Sequence, residues 1–376
     1  MKNFYDSDFK LGILGGGQLG RMLIQEAINL DVHISVLDPS ENCPCAELAN
    51  SFTLGSFHDY ETVYNFGRTI DVLTIEIENV NTDALLALQR EGKTIYPKPE
   101  TLVIIKDKGL QKAFYAEHGI ASSDFKLITA KSEITEFPIV QKLRTGGYDG
   151  RGVQVLKSSE DLDKAFEEPS VLESLVDIEK ELSVIIARNP AGEVKTFPIV
   201  ELEFNPQANL VEFLFAPAVI SDEVEKKSFA LAQEVVTALD FVGILAVELF
   251  LTKAGEVLVN EVAPRTHNSG HHTIESCHTS QFEQHMRAVL DLPLGNTELI
   301  SPAVMLNLLG EEGFTGAVKY EGIAEVLARK GVTIHLYGKA DTKPYRKMGH
   351  VTIVSDTLEG AKDVALQIKK ELKVKA

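Results

Sequence analysis

KLRTGGYDGRG, residues 142–152, sets four glycines (Gly146, Gly147, Gly150 and Gly152) among Lys142, Arg144, Arg151 and one acid, Asp149. A strand-like run, FPIVQ, leads in and another, VQVL, leads out. The segment is too long for a two-residue hairpin turn. Glycines free the backbone to fold over a ligand and let its N–H groups reach anionic oxygens. Lys142 adds charge at the strand end. A plain structural hairpin rarely uses so many glycines, so the stretch reads as an anion-cradling loop between antiparallel strands.

Downstream, ILAVELFL (244–251) and EVLVNEVA (256–263) flank the turn T-K-A-G, and that hairpin register brings Glu248 close to Glu261. Both sit in apolar runs, where an unpaired charge is costly. Mg²⁺ held by one or two carboxylates plus phosphate oxygens suits such a pair. The alternative is that one or both point to solvent from a one-sided sheet. NEVAPRTHNSGH (260–271) follows directly and collects Arg265, His267, Asn268 and His271. A helix cap around Asn268–Ser269 is the plain alternative there.

Upstream, LGIL (11–14), GGGQLG (15–20), RMLIQEAINL (21–30) and VHISVLD (32–38) read as strand, turn, helix and strand. Gly15, Gly17 and Gly20 with Asp38 match the dinucleotide-binding fingerprint. An NAD-dependent dehydrogenase is therefore one reading, although such a turn holds phosphates generally. Further strands at 71–77 and 94–97 imply a parallel α/β sheet. The spacing predicts one helix over 100–119. Beyond 120 strands dominate, interrupted by helices at 223–239 and near 280–291, with a terminal helix at 359–372. Three units follow: 1–98, α/β; 99–296, in which strands dominate; and 297–376, with strands and the terminal helix.

The 376 residues are 44% hydrophobic and 24% charged, with a net charge of −18. That charge argues against nucleic acid as the main partner. No stretch approaches the ~20 apolar residues of a membrane span, and MKNFYDSDFK carries no signal-like apolar run, so a cytoplasmic protein without membrane attachment is expected. The three cysteines form no disulfide or zinc framework. One dense basic cluster stands out, KADTKPYRK at 339–347.

Taken together, GGGQLGRM (15–22), RTGGYDGRG (144–152), NEVAPRTHNSGH (260–271), SQFEQH (280–285) and RKMGH (346–350) resemble the ATP-grasp superfamily. Within it they are most similar to the ATP-dependent carboxylases of purine biosynthesis. The resemblance covers nearly the whole chain. It implies a Rossmann-like α/β first domain that does not use NAD, a central ATP-grasp domain of two α+β subdomains, a small β-rich C-terminal domain, and a homodimer. The implied reaction joins ATP, bicarbonate and 5-aminoimidazole ribonucleotide, giving N5-carboxyaminoimidazole ribonucleotide, ADP and phosphate through carboxyphosphate.

The resemblance also implies roles. Glu248 and Glu261 hold Mg²⁺. Lys108, Lys142 and Asn260 meet the nucleotide, with Gly146, Gly147, Gly150 and Gly152 in the loop above it. Glu173, Ser174, Leu175 and Val176 form the adenine-binding linker, and Glu181 meets the ribose. Arg265 and His267 hold bicarbonate and then carboxyphosphate. Tyr148, Asp149 and Arg151 face the second substrate, and the loop is expected to close as a lid. Lys339, Arg346 and Lys347 grip the ribotide phosphate. Gln18, Glu78, Asn268 and Ser269 complete the substrate site.

Three departures stand out. The family's E-N-x-H is replaced by ELEFNP (201–206), the residue two beyond the second metal glutamate is Ala263, and Lys108 replaces a frequent Arg. A formate-dependent ribotide formyltransferase of the same superfamily and a non-catalytic nucleotide sensor are the competing readings. The dehydrogenase reading leaves Glu248, Glu261 and the 142–152 loop unexplained.

Overall fold

The computed structural model describes residues 3–147, 152–205, 207 and 210–376. Among these residues, the N-terminal part forms a parallel sheet. Its strand order is Ser51–Leu54, Ile34–Asp38, Leu11–Leu14, Val72–Ile75 and Thr94–Ile95. The central strands are almost wholly apolar because helices cover both faces. The Gly15–Gly17 turn at the C-terminal end of Leu11–Leu14 opens the helix Gln18–Asn29.

The single helix expected over 100–119 is two helices, Pro99–Lys106 and Lys108–Glu117, broken at Asp107. Asp107 is extended (φ −114°, ψ 108°), and its carboxylate caps the second helix by accepting from the Gly109 and Leu110 N–H groups at 2.8 and 3.2 Å. Such a cap satisfies donors that an uninterrupted helix would not leave open. Arg144 bonds the same carboxylate through Nε and Nη2 at 2.9 and 2.6 Å. The break therefore docks Lys108 beside the strand Ile139–Leu143.

A four-stranded antiparallel sheet follows, ordered Phe125–Ile128, Ser170–Ser174, Ile139–Leu143 and Val153–Leu156. The largest sheet runs Val257–Ala263, Gly243–Thr252, Ile178–Arg188, Val200–Asn205, Leu210–Ala216, Ala303–Leu309, Lys347–Val354 and Val332–Leu336. The C-terminal strands thus continue the central sheet, because Leu210–Ala216 pairs with Ala303–Leu309 across the division read at 296/297. One face of this sheet buries Leu182, Val184, Val247 and Leu249 under the helix Asp222–Ala238. Its other face carries the polar residues described below.

The helix Gln281–Val289 couples the first unit to the rest. Phe282, Met286 and Val289 share a core with Leu19, Met22 and Leu23 of the helix Gln18–Asn29. Full burial of each such side chain is worth about 1.5–3 kcal/mol. Ser280 caps the helix by accepting from Glu283 N at 3.0 Å and donates to Glu26 at 2.7 Å. This packing sets the glycine turn against residues 265–271. Among the described residues, no helix is long and apolar enough to cross a membrane.

Candidate active site

The hairpin turns at Gly255 (φ +81°), where the Thr252 N–H donates to the Glu256 carbonyl at 2.9 Å. In its register Glu248 faces Glu261 directly, and the next pair is Leu249–Val259. Asn260 is therefore the extra residue of a bulge. Strict alternation would send neighbours to opposite faces; the bulge lets both Asn260 and Glu261 reach the cleft. Asn260 Oδ1 accepts from Lys142 Nζ at 2.8 Å, and the Lys108 ammonium bonds Glu261. Lys108 holds the Glu261 carboxyl well below its usual range. Burial and the facing carboxylate push Glu248 up.

Lys142 also meets the buried Glu173 carboxylate at 3.1 Å. After Glu173 the chain crosses between the two sheets as an exposed link: Ser174 ends its strand, Leu175 is exposed, and Val176 is half-buried. Glu181 lies on Ile178–Arg188; burial raises its pKa against the pull of Lys142. The structure thus brings Lys108, Lys142, Glu173, Glu181, Glu248, Asn260 and Glu261 to one cleft. Gly146 and Gly152 flank the loop with φ of +79° each, a conformation that favours glycine. Tyr148, Asp149, Gly150 and Arg151, and with them the lid expectation, lie outside the described residues.

A second chamber adjoins the first. A cavity of about 360 Å³ lies between the glycine turn and residues 265–271, lined in part by Gln18, Glu76, Arg265, His267, Asn268 and Lys347. Arg265 Nε donates to Glu78 Oε2 at 2.5 Å. Burial alone would raise the Glu78 pKa, but the charge and hydrogen bond of Arg265 outweigh it and the carboxyl is lowered. His267 Nε2 stands 3.5 Å from Glu248 Oε1, joining the chambers. Burial and the nearby Arg265 and Lys347 charges drive the His267 pKa down to about 3, so the ring is neutral. The Ser269 N–H donates to His267 Nδ1 at 3.3 Å, which leaves the ring proton on Nε2. Gln281 clamps the same residue, accepting from His267 N at 2.9 Å and donating to its carbonyl at 2.7 Å.

Two expectations change here. Ser269 does not line the cavity. It is fully buried, and its hydroxyl is used by His267 Nδ1 at 2.8 Å and Ser183 Oγ at 2.8 Å. The 3₁₀ turn Asn268–Gly270 seats it on the strand Ile178–Arg188, so it orients His267. Within the basic cluster, Lys347 lines the cavity, whereas Arg346 Nη1 donates to the Asp341 carbonyl at 2.6 Å. Lys339 Nζ donates to the Lys347 carbonyl at 2.7 Å.

The dinucleotide fingerprint is closed from within. Asp38 accepts from Gly16 N at 2.7 Å, and Glu76 accepts from Leu19 N at 3.1 Å. These are N–H groups that a pyrophosphate would need. A Cβ on Gly17 would stand 2.4 Å from Glu76 Oε1, so glycine here admits a carboxylate of this chain. Glu76, Gln281 and Ser183 were not expected at the site. The signal for Gln281 was present, a polar residue at the start of a buried helix in SQFEQH; Glu76 in LTIEIE gave none.

Among the described residues, no group of three or more His, Cys, Asp or Glu forms a metal shell by itself. Glu248 and Glu261 supply hard oxygen donors, and the buried amide of Asn268 has neither atom hydrogen-bonded. That donor set suits a small divalent cation completing its shell with water or phosphate.

A cleft between two antiparallel sheets, lined by lysines and paired glutamates and fed by a parallel N-terminal unit, defines an ATP-grasp protein. Residues 113–282 match the ATP-grasp domain, residues 9–106 the ribonucleotide synthetase preATP-grasp domain, and residues 303–363 the phosphoribosylaminoimidazole carboxylase C-terminal domain. The crystal structure of N5-carboxyaminoimidazole ribonucleotide synthetase from Thermotoga maritima is 45% identical, with a TM-score of 0.91 covering 98% of this chain and 99% of that one. The chain belongs to the N5-carboxyaminoimidazole ribonucleotide synthetase family. The Aspergillus clavatus synthase, solved in complex with ADP and 5-aminoimidazole ribonucleotide, is 32% identical, with a TM-score of 0.88 covering 96% of this chain and 98% of that one. The chloroplastic phosphoribosylaminoimidazole carboxylase of Vigna aconitifolia is 41% identical over 363 residues, 93% of this chain, and the chain spans 64% of that relative's length.

Proposed function

We propose that this chain is an ATP-dependent ligase of purine biosynthesis. It carboxylates 5-aminoimidazole ribonucleotide with bicarbonate, giving N5-carboxyaminoimidazole ribonucleotide, ADP and phosphate. The observation that carries this reading is the meeting of the two chambers at His267 and Glu248, 3.5 Å apart, between the phosphate-facing lysines and the cavity holding Arg265 and Lys347.

Lys108 and Lys142 position the ATP phosphates and offset their charge, the main demand of phosphoryl transfer. Mg²⁺ held by Glu248 and Glu261, with Asn268 nearby, supplies further charge neutralisation at the transferring phosphoryl group. Arg265, aimed by Glu78, holds bicarbonate. A bicarbonate oxygen attacks the γ-phosphorus, the bond to ADP breaks, and carboxyphosphate forms. His267 donates its Nε2 proton in a hydrogen bond to the new acyl phosphate and stays neutral. The ribotide amine then bonds to the carboxyl carbon as the C–O bond to phosphate breaks. Phosphate leaves with the electron pair and takes up the amine proton. Lys347 and Gln18 hold the ribotide in the cavity. We read the protein as a cytoplasmic homodimer on the family resemblance, and sedimentation checks the dimer.

The test is phosphate release with ATP, Mg²⁺ and ribotide, comparing bicarbonate with formate. Release that needs both ribotide and bicarbonate supports the proposal. Equal or greater release with formate supports the formyltransferase instead, and release independent of the ribotide counts against both.

A further inference from the structure

The helix Lys108–Glu117 presents two lysines one turn apart on the same face, Lys108 and Lys112. Lys108 reaches Glu261, whereas Lys112 is only 2% exposed, rare for a lysine. All three ammonium donors of Lys112 are used: on the Ser123 carbonyl at 2.7 Å, Ser123 Oγ at 2.9 Å and Ser122 Oγ at 3.1 Å. Ser123 Oγ in turn donates to Glu173 Oε2 at 2.8 Å. That oxygen lies 3.1 Å from Lys142 Nζ, which in turn donates to Asn260 Oδ1 at 2.8 Å. Lys112, Ser123, Glu173, Lys142 and Asn260 thus form one directed relay beneath the cleft.

The relay also crosses the seam between the two sheets. The Val259 N–H donates to the Ala121 carbonyl at 2.8 Å, and the Ser174 N–H donates to the Asp124 carbonyl at 3.0 Å. Residues 121–124 therefore tie the strand of Asn260 and Glu261 to the strand of Glu173, and Lys112 is the buried post on which this segment hangs. The relay also sets the local charge. Glu173 stands between two ammonium groups, so its single negative charge is shared. Were Lys112 absent, Glu173 would neutralise Lys142 alone, and Lys142 would offer less charge to an anion.

We propose that Lys112 is a positioning residue that, through Ser123 and Glu173, fixes Lys142 in place and keeps its charge available to the ATP phosphates. This rests on the reading of Lys142 as a phosphate contact. Burial lowers the Lys112 pKa to about 8 against the pull of Glu173, so the ammonium that makes the three donations is still the main form at pH 7.

Calorimetric ATP binding to the full chain tests it, with melting temperatures measured alongside. Lys112→Met is expected to raise the Kd for ATP about tenfold, a change of about 1.4 kcal/mol, and to leave the KM for ribotide unchanged. Glu173→Gln is measured alone as well, because Glu173 also belongs to the adenine link; with the relay already cut in that background, adding Lys112→Met should cost less than about threefold, against about tenfold in the native background. A merely structural role would give the same loss in both backgrounds. If Lys112→Met does not fold, Ser123→Ala cuts the relay with Lys112 in place and should weaken ATP in the same direction. The proposal is overturned if the single variant that folds binds ATP as the native protein does, or if Lys112→Met costs as much ATP affinity in the Glu173→Gln background as in the native one. A native protein without ATP affinity would instead overturn the nucleotide reading itself.

Discussion

Glu248 and Glu261 stand opposite each other across an antiparallel pair, and the Lys108 ammonium bonds Glu261. These two carboxylates, with Glu173 and Glu181 in the same cleft, outnumber Lys108 and Lys142 there and form an anionic site in which a divalent cation relieves repulsion. Replacing either by Gln keeps the shape and removes a charge. Turnover should fall roughly 10²-fold or more, as when developing charge goes unneutralised, and the Mg²⁺ concentration at half-activity should rise. Near-native rates at low Mg²⁺ in both variants would contradict the assignment.

Glu78→Gln tests the aiming of Arg265. The variant keeps a hydrogen-bond acceptor but loses the charge paired with the guanidinium. Removing one partner of a desolvated ion pair typically costs about 2–5 kcal/mol, so kcat/KM for bicarbonate should drop at least tenfold with the KM for ATP unchanged. Equal losses for both substrates would point to a general defect.

Lys347 lines the cavity, and Arg346 is bonded to the Asp341 carbonyl. A charge-assisted phosphate contact is worth about 1.5–3 kcal/mol. Lys347→Ala should therefore raise the ribotide KM roughly 10- to 150-fold. Arg346→Ala should have the smaller effect. The reverse order would show that Arg346 swings into the cavity when ribotide binds.

His285 links the first unit to the central sheet. Its Nδ1 accepts from Ile244 N at 3.3 Å, and its Nε2 meets Thr74 Oγ1 at 2.9 Å. Burial lowers its pKa to about 4. An unfolded histidine takes a proton near pH 6.5, and the folded one does so only near 4. The stability from keeping His285 neutral is thus complete above pH 6.5 and is lost as pH falls toward 4, by about 1.4 kcal/mol per pH unit. His285→Gln should flatten that loss in urea unfolding between pH 6.5 and 4.5; an unchanged slope would contradict it.

What the sequence made legible was local. The Glu248–Glu261 pairing could be read because the T-K-A-G turn is short and its flanking runs are apolar. The helix break at Asp107 was hidden because ETLVIIKDKGLQKAF keeps helical spacing through it, and only the tertiary bond from Arg144 shows why the chain turns there. The glycine turn was legible as a turn but not as a closed one, since Glu76 reaches Leu19 from 57 residues away. Ser269 looked like a site residue by its neighbours; its burial depends on Ser183, 86 positions earlier. The continuation of the central sheet into Ala303–Leu309 depends on strand partners that a single sequence does not pair.

The central claim, that bicarbonate is activated by ATP as carboxyphosphate before it meets the ribotide, has a direct isotopic test. Bicarbonate labelled with ¹³C and ¹⁸O is supplied with ATP, Mg²⁺ and ribotide, and both products are analysed by mass spectrometry. If bicarbonate oxygen attacks the γ-phosphorus, each phosphate released carries one ¹⁸O and each ribotide carboxylated carries the ¹³C, in equal amounts. Phosphate free of ¹⁸O while ¹³C still enters the ribotide would mean that water, not bicarbonate, receives the phosphoryl group, and the account would fail.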